Sequence, residues 1–292
     1  AQVLVAPGQL PTLIDAGTVI GPLSPAMSRT IGGVGVRSPF AAASVDVIAV
    51  ASHDTASAVA ATPMDPTTSA FISCGTWGLV GVEIESACLT DQARAANFTN
   101  EGGVDGRIRF LHNVMGLWLL SESVRQWERE GATINLSELL AQAEAATAPV
   151  PVFDANDGEF LRPGDMPTRI ATWFTSRGRA APQTRAEFAR SIIESLAQAF
   201  AQTVHTASEI SGVPVKTIHI VGGGVQNALL CQRTADRSGL PVLAGPVEAT
   251  AIGNVLIQAR TQGFVEGDLE TLRGLVLSAF PPISYLPSTQ GH

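Results

Sequence analysis

Thr217-Ile218-His219-Ile220-Val221-Gly222-Gly223-Gly224-Val225-Gln226-Asn227 carries an apolar run straight into three consecutive glycines. Residues 217–221 predict a buried strand and 228–237 a helix, so the stretch is one strand–turn–helix unit of an α/β protein. Glycines at such a turn let a ligand approach the backbone closely, and a helix amino terminus adds positive potential. A tight turn with no ligand explains the same glycines equally well. The spacing is not GxGxxG, no acidic residue follows at the ribose-binding distance, and the pattern is not GxxxxGKS/T. Neither a Rossmann dinucleotide site nor a P-loop is therefore indicated.

Outward from this stretch the pattern stays α/β. Downstream, 241–244 predicts a short strand and 249–261 a helix. Upstream, Phe188, Ile192, Leu196, Phe200 and Val204 recur every four residues, which predicts a core-facing helix over 185–211, and Gly212 supplies its stop. Residues 70–74 and 79–82 predict a hairpin through Gly75-Thr76-Trp77-Gly78, and 107–112 a third strand. Between them, 85–106 reads as a polar loop. An amphipathic helix over 115–130 places Leu117, Leu120, Val124 and Trp127 near one face, and Trp118 and Trp127 read as core. Another helix covers 137–146, followed by an irregular stretch whose Asp154, Asp157 and Asp165 read as solvated. A meander followed by alternating helices and strands predicts a mixed sheet with an antiparallel edge.

Residues 45–51 read as a buried strand that ends at His53-Asp54-Thr55, with a small-residue helix over 55–61. A carboxylate at the carboxyl end of a buried strand lies where α/β sheets bind ligands. Asp54 suits a base that receives the proton of a substrate hydroxyl. On pattern alone the helix N-cap, which Asp favours before a small-residue helix, is the better-supported of the two roles. His53 alone reads as a structural histidine. Gly75-Thr76 offers a backbone N–H and a hydroxyl to a phosphate oxygen, or is an ordinary hairpin turn. Asn113 reads as a cap for the helix that follows it. Pro63 and Pro66 mark a domain boundary, and residues 1–44, where segments such as Ala6-Pro7-Gly8 and Ile20-Gly21-Pro22-Leu23 read as turns with short extended pieces, carry too little periodic pattern for a core of their own.

Composition narrows the function. A net charge of −8 argues against nucleic acid and anionic membrane surfaces as partners. No apolar run has membrane-spanning length and no signal peptide is visible, so a cytoplasmic location is expected. Three widely spaced cysteines, Cys74, Cys88 and Cys231, support neither a zinc site nor a disulfide framework. Two matches to the glycosylation pattern, at Asn97 and Asn135, read as chance.

Taken together, several segments resemble the FGGY family of carbohydrate kinases. They are Ala49-Val50-Ala51-Ser52-His53-Asp54-Thr55, Ile72-Ser73-Cys74-Gly75-Thr76-Trp77, Asn97-Phe98-Thr99-Asn100-Glu101-Gly102-Gly103, Asn113-Val114-Met115-Gly116-Leu117-Trp118, the 219–227 run, and Ala244-Gly245-Pro246-Val247-Glu248-Ala249-Thr250 with Gly253-Asn254. The Gly-Thr and triple-glycine motifs are family-wide, while His-Asp-Thr and Asn-Glu-Gly-Gly point to its rhamnulokinase branch. The resemblance implies an α/β fold of ribonuclease H-like (actin/hexokinase-type) lobes with a mixed sheet and helical insertions. Residues 1–65 would be the end of the sugar-binding lobe and 66–292 the nucleotide-binding lobe.

By the same resemblance, Asp54 is the base, and His53, Thr55 and Asn113 touch the sugar. Gly75 and Thr76 meet the ATP phosphates, and Gly223, Gly224 and Asn227 line the adenosine pocket. ATP and Mg²⁺ are the cofactors and L-rhamnulose the substrate, giving L-rhamnulose 1-phosphate. Two departures stand out. The family's early phosphate-binding hairpin is not in this sequence, which implies that the 292-residue chain alone is inactive. Ser121 occupies a position where a longer polar residue such as Gln is expected. Another ketose of the same family, such as L-fuculose or L-xylulose, and a non-catalytic nucleotide-binding module are the alternatives.

Overall fold

The computed structural model describes residues 8–32, 45–146 and 150–288. Its strands are β1 (Val19–Pro22), β2 (Asp46–Ile48), β3 (Ser69–Cys74), β4 (Trp77–Ile84), β5 (Thr99–Gly102), β6 (Ile108–Met115), β7 (Thr217–Val221), β8 (Val242–Ala244) and β9 (Ile283–Tyr285). Its helices are α1 (Pro25–Gly32), α2 (Asp54–Ala60), α3 (Asp91–Ala95), α4 (Trp118–Arg129), α5 (Leu136–Ala145), α6 (Met166–Thr175), α7 (Arg185–Ser211), α8 (Ala228–Ser238), α9 (Ala249–Thr261) and α10 (Leu269–Ala279).

Seven strands form one mixed sheet in the order β5-β6-β4-β3-β7-β8-β9. β3 lies at its centre, antiparallel to β4 and parallel to β7. Side-chain alternation assigns the two faces. Ala70, Ile72 and Cys74 of β3, with Ile218 and Ile220 of β7, join the large core that α7 covers. On the other face Phe71 and Leu111 pack with Val59 of α2, and Val221 packs with Ala58, Ala61, Ala249 and Val276 of α2, α9 and α10. Close approach on the first face needs a glycine. A Cβ at Gly78 would lie 2.5 Å from the Phe200 ring of α7.

α7 matches its predicted bounds, begins with a Thr184–Glu187 capping box and ends on Gly212 with φ 76°. Arg190, Glu194, Arg233 and Arg237 then tie it to α8 through charged pairs. Phe153, Phe160, Trp173 and Phe174 form an aromatic cluster beneath α6.

Several expectations are corrected. Residues 45–51 are not a buried strand: β2 pairs with β1 in a separate two-stranded sheet, and Val47 is 38% exposed. An apolar run interrupted only by Asp46 was compatible with two-sided burial, but β1 is the partner present among the described residues, and it covers only one edge. The 85–106 loop contains α3, capped by Thr90, and the edge strand β5. β6 continues through Asn113 to Met115 because it pairs with β4 as far as Trp77. Asn113 is thus a strand residue and caps nothing, and α4 starts three residues later than predicted, at Trp118. The irregular stretch holds α6, whose N-cap is Asp165. Asp157 is no free loop acid, since it accepts from Trp173 Nε1 at 2.8 Å and pairs with Arg177. Beyond 261 the chain adds α10 and β9. The predicted Ala6-Pro7-Gly8 turn lies largely outside the described residues.

His219 sits on the α2 side of β7 with Nδ1 unpartnered. Burial, and then the nearby Arg273 charge, pull its imidazole down from 6.5 to about 4. Between those values the unfolded chain binds a proton that the folded chain does not, so stability falls as pH falls through that window. Urea unfolding at about pH 7 and about pH 5 is expected to show a loss of roughly 2 kcal/mol from this residue. A His219→Leu variant should lose correspondingly less.

Candidate active site

β3 and β7 run parallel in a register that pairs Ser73 with Val221, so their carboxyl ends finish side by side. Each strand then delivers a glycine-containing turn to the same edge of the sheet, where α/β proteins bind ligands. Gly222 has φ 85°, and a Cβ there would lie 2.9 Å from Cys74 O. At Gly224 a Cβ would lie 2.4 Å from Cys74 Sγ. These two glycines are explained by packing on β3. Gly75 and Gly223 are different: a Cβ at either would meet nothing within 4 Å. They border open space. Burial pushes the Cys74 and Cys231 thiols up to about 12, so neither is a nucleophile.

The glycines do not open directly onto a helix, as the sequence suggested. A 3-10 turn over Gly223–Gln226 intervenes, and α8 is capped by Asn227, whose Oδ1 accepts from Leu230 N at 3.0 Å.

In the β3–β4 turn, Gly75 N donates to Trp77 O at 2.8 Å. The carbonyls of Gly75 and Thr76 accept from Leu117 N and Trp118 N at 3.0 and 3.2 Å, which seats the turn on the start of α4. Gly116 makes this seat possible, since a Cβ there would lie 2.6 Å from Thr76 O. Thr76 is exposed, and its N–H and hydroxyl have no partner among the described residues.

Across the opening stands the first turn of α2. His53, not Asp54, is the N-cap: its Nδ1 accepts from Thr55 N at 3.2 Å. Asp54 is the first helical residue, its side chain 77% exposed, with Oδ1 3.0 Å from His53 Nδ1 and 2.7 Å from Thr55 N. The capping role predicted for Asp54 therefore falls to its neighbour, and one edge of an exposed carboxylate is held by a backbone N–H. Thr55 is buried and orients its hydroxyl toward Asp54 Oδ1 at 3.3 Å.

His53, Asp54, Thr55, Gly75, Thr76, Asn113 and Gly223 all line one cavity of about 800 Å³. A second cavity, of about 510 Å³, is walled by Leu117, Leu120, Val124, Leu136 and Leu140, with Ser121, Arg125 and Asn227 as polar groups. Gly75, Thr76, Gly223 and Gln226 line both, so the cavities adjoin at the two turns. The pair fits a ligand with a polar, charged end and a flat apolar end. Gly224 lies behind Gly223 and lines neither. Asn100 is also remote from both, because its amide bridges the backbone of Cys88 at 2.8 and 3.0 Å.

Gln226, Glu248 and Thr250 line the first cavity and were not singled out from the sequence. Gln226 directly follows the glycine turn, which was its signal. Glu248 and Thr250 flank the start of α9 and carried no signal beyond the family-like stretch 244–250. Glu248 occupies the N-cap position of α9 without a side-chain cap bond, leaving its carboxylate to the cavity.

No group of three or more His, Cys, Asp or Glu residues among the described residues would hold a metal ion. Mg²⁺ is commonly held by one or two carboxylates together with substrate phosphates. Asp54 and Glu248 are the carboxylates on the cavity.

The family model described as the FGGY family of carbohydrate kinases, C-terminal domain, matches residues 70–261. The chain belongs to this family. It is 42% identical over 243 residues to a rhamnulokinase of Bacteroides thetaiotaomicron, an alignment that covers 83% of this chain and 49% of that protein. In fold it is similar to a xylulose kinase from Rhodospirillum rubrum, with TM-score 0.67 and 19% identity over 98% of this chain and 54% of the other. A ligand-bound xylulose kinase from Lactobacillus acidophilus gives TM-score 0.68 and 14% identity over 97% and 54%. The fold is the actin/hexokinase-like α/β arrangement of these sugar kinases. The chain spans about half the length of the relatives it matches. No helix among the described residues is long and apolar enough to cross a membrane.

The two glycines should separate by measurement. Gly224→Ala overpacks Cys74 and is expected to cost about 1–3 kcal/mol in denaturant unfolding. Gly223→Ala should leave stability within about 0.5 kcal/mol, because its methyl would enter the open cavity and meet nothing within 4 Å.

Proposed function

We propose that this chain is the nucleotide-binding and base-bearing part of an ATP-dependent ketose kinase that converts L-rhamnulose to L-rhamnulose 1-phosphate. One observation carries the kinase reading. The exposed Asp54 carboxylate and the Thr76 N–H and hydroxyl, which have no partner among the described residues, line a single cavity, and that cavity continues into an apolar slot.

In this reading the base and ribose of ATP occupy the slot between α4 and α5, with Gly223 and Asn227 as its floor. Ser121, shorter than the residue expected there, leaves that wall of the slot open. Gly224 acts from behind by letting the glycine turn seat on Cys74. The phosphates cross the two turns, where Thr76 donates to a terminal phosphate oxygen and Gly75 keeps the approach clear. The sugar lies beside His53, Thr55 and Asn113. Asp54 accepts the proton of the attacking hydroxyl while oxygen bonds to the terminal phosphorus and ADP leaves. An ordinary exposed carboxylate suffices, because phosphoryl transfer depends chiefly on positioning and charge stabilisation. Mg²⁺ bound with the nucleotide would offset phosphate charge, and Asp54 and Glu248 are the groups that would face its water shell.

L-Rhamnulose is favoured over other ketoses by the 42% identity to a rhamnulokinase and by the His53-Asp54-Thr55 motif. Because the chain spans about half of that relative, we propose that turnover requires the other half and that these 292 residues alone phosphorylate no sugar. The boundary expected at residue 65 would put α2 with the sugar-side lobe, but α2 packs on Phe71, Leu111, Ala249 and Val276, which favours placing it with the nucleotide-binding lobe and only the residues before it with the sugar side.

The test is coupled ADP release by a two-lobed full-length protein on L-rhamnulose, L-fuculose and L-xylulose, beside Asp54→Asn. L-Rhamnulose should give the highest kcat/KM, and the variant should lose about a thousandfold in kcat with ATP binding kept. A preferred sugar other than L-rhamnulose would overturn the substrate assignment. ATP binding with no turnover on any of them would leave a nucleotide-binding module.

A further inference from the structure

α2 carries Asp54 in its first turn, yet the groups that hold this helix come from the far end of the chain. At its amino end Thr250 Oγ1 of α9 donates to the Asp54 carbonyl at 3.2 Å. At mid-helix, α9 approaches so closely that a Cβ at Gly253 would lie 1.8 Å from Ser57 O. At the carboxyl end Arg273 of α10 donates through Nη2 to Val59 O at 3.0 Å. The same guanidinium grips Glu83 of β4 with two bonds of 3.0 and 3.1 Å. Arg107 adds a third bond to Glu83 at 3.0 Å and reaches Glu270 of α10 at 2.7 Å.

These contacts are of unequal kind. Arg273 and Glu83 are both almost fully buried, with side chains 3% and 2% exposed. A buried bidentate pair is directional, and neither partner can leave without stranding the other's charge. It therefore fixes where the carboxyl end of α2 sits relative to β4. β4 is also the strand that emerges from the Thr76 turn. Gly253 sets the depth of α2, and Thr250 sets the position of its first turn. Three holds along seven residues determine the helix in height, tilt and rotation.

We propose that Thr250 and Arg273 are positioning residues that make the Asp54 helix part of the same rigid unit as the Thr76 turn. The carboxylate and the phosphate-binding turn then keep one separation however the sugar side opens and closes. This rests on the reading of Asp54 as base. A misplacement of about 1 Å is enough to cost on the order of a hundredfold in such a reaction.

Thr250 offers the cleaner test, since it is exposed and Arg273 variants risk unfolding the chain. Steady-state kinetics of the full-length protein on L-rhamnulose and ATP should compare Thr250→Val, Thr250→Ser and Asp54→Asn, with thermal melts alongside. Thr250→Val should lower kcat by about 10- to 100-fold, with both KM values and the melting temperature near those of the parent. Thr250→Ser, which keeps the hydroxyl, should recover most of the rate. A Thr250→Val enzyme with the parent kcat, or one that raises KM alone, overturns the positioning role while Asp54→Asn remains inactive. Failure of Thr250→Ser to recover the rate overturns it as well. Turnover retained by Asp54→Asn removes the base assignment and this inference with it.

Discussion

The parallel pairing of β3 with β7 is the constraint on which the site depends. Because Ser73 pairs with Val221, the two strands end together, and the turns that follow meet over Cys74. Two of the three glycines in 222–224 serve that contact. They let one turn sit directly on the strand that leads into the other. The third, Gly223, is then left facing the cavity with Gly75. A site in which some glycines satisfy packing and others border empty space separates the protein's own needs from a ligand's.

The sheet also divides the labour of its faces. α7 covers one side with a continuous apolar stripe and contributes nothing to either cavity wall. The other side carries α2, α9 and α10, whose small residues allow close helix contacts and leave room for charged pairs at the ends. Glu83 and Arg273 form a buried ion pair on this side, and the partly buried Arg107 brings a second cation to Glu83. Such pairs contribute little net stability. Their consequence is geometric, in that they connect the helix bearing Asp54 to the strand that follows Thr76.

Long periodic elements were legible in the sequence. α7, β7 and α9 fall at their expected bounds because a four-residue stripe, a terminal glycine and an apolar run before glycines are local signals. α3, β5, α6 and α10 were not, since they are short, or flanked by polar residues, and depend on tertiary partners for their definition. Residues 45–51 show the converse error: an apolar run signals that burial is possible, not that a partner strand is present. Leu120 is buried in the core and Leu117 and Val124 pack against it, yet all three also wall a cavity, because periodicity reports an apolar face and not everything that covers it. The candidate site was legible as separate motifs. Their meeting place was not, because it follows from strand order. Asp54 could not be separated from a helix cap until the backbone assigned capping to His53.

In the proposed function Asp54, the Thr76 turn and the slot behind Gly223 form one continuous binding path. A crystal structure of the full-length protein with a non-hydrolysable ATP analogue tests it most directly. The base should lie between α4 and α5, the terminal phosphate against Thr76, and the Asp54 carboxylate should face that phosphate across room for one hydroxyl. A nucleotide bound elsewhere, or one whose phosphates point away from Asp54, would contradict it.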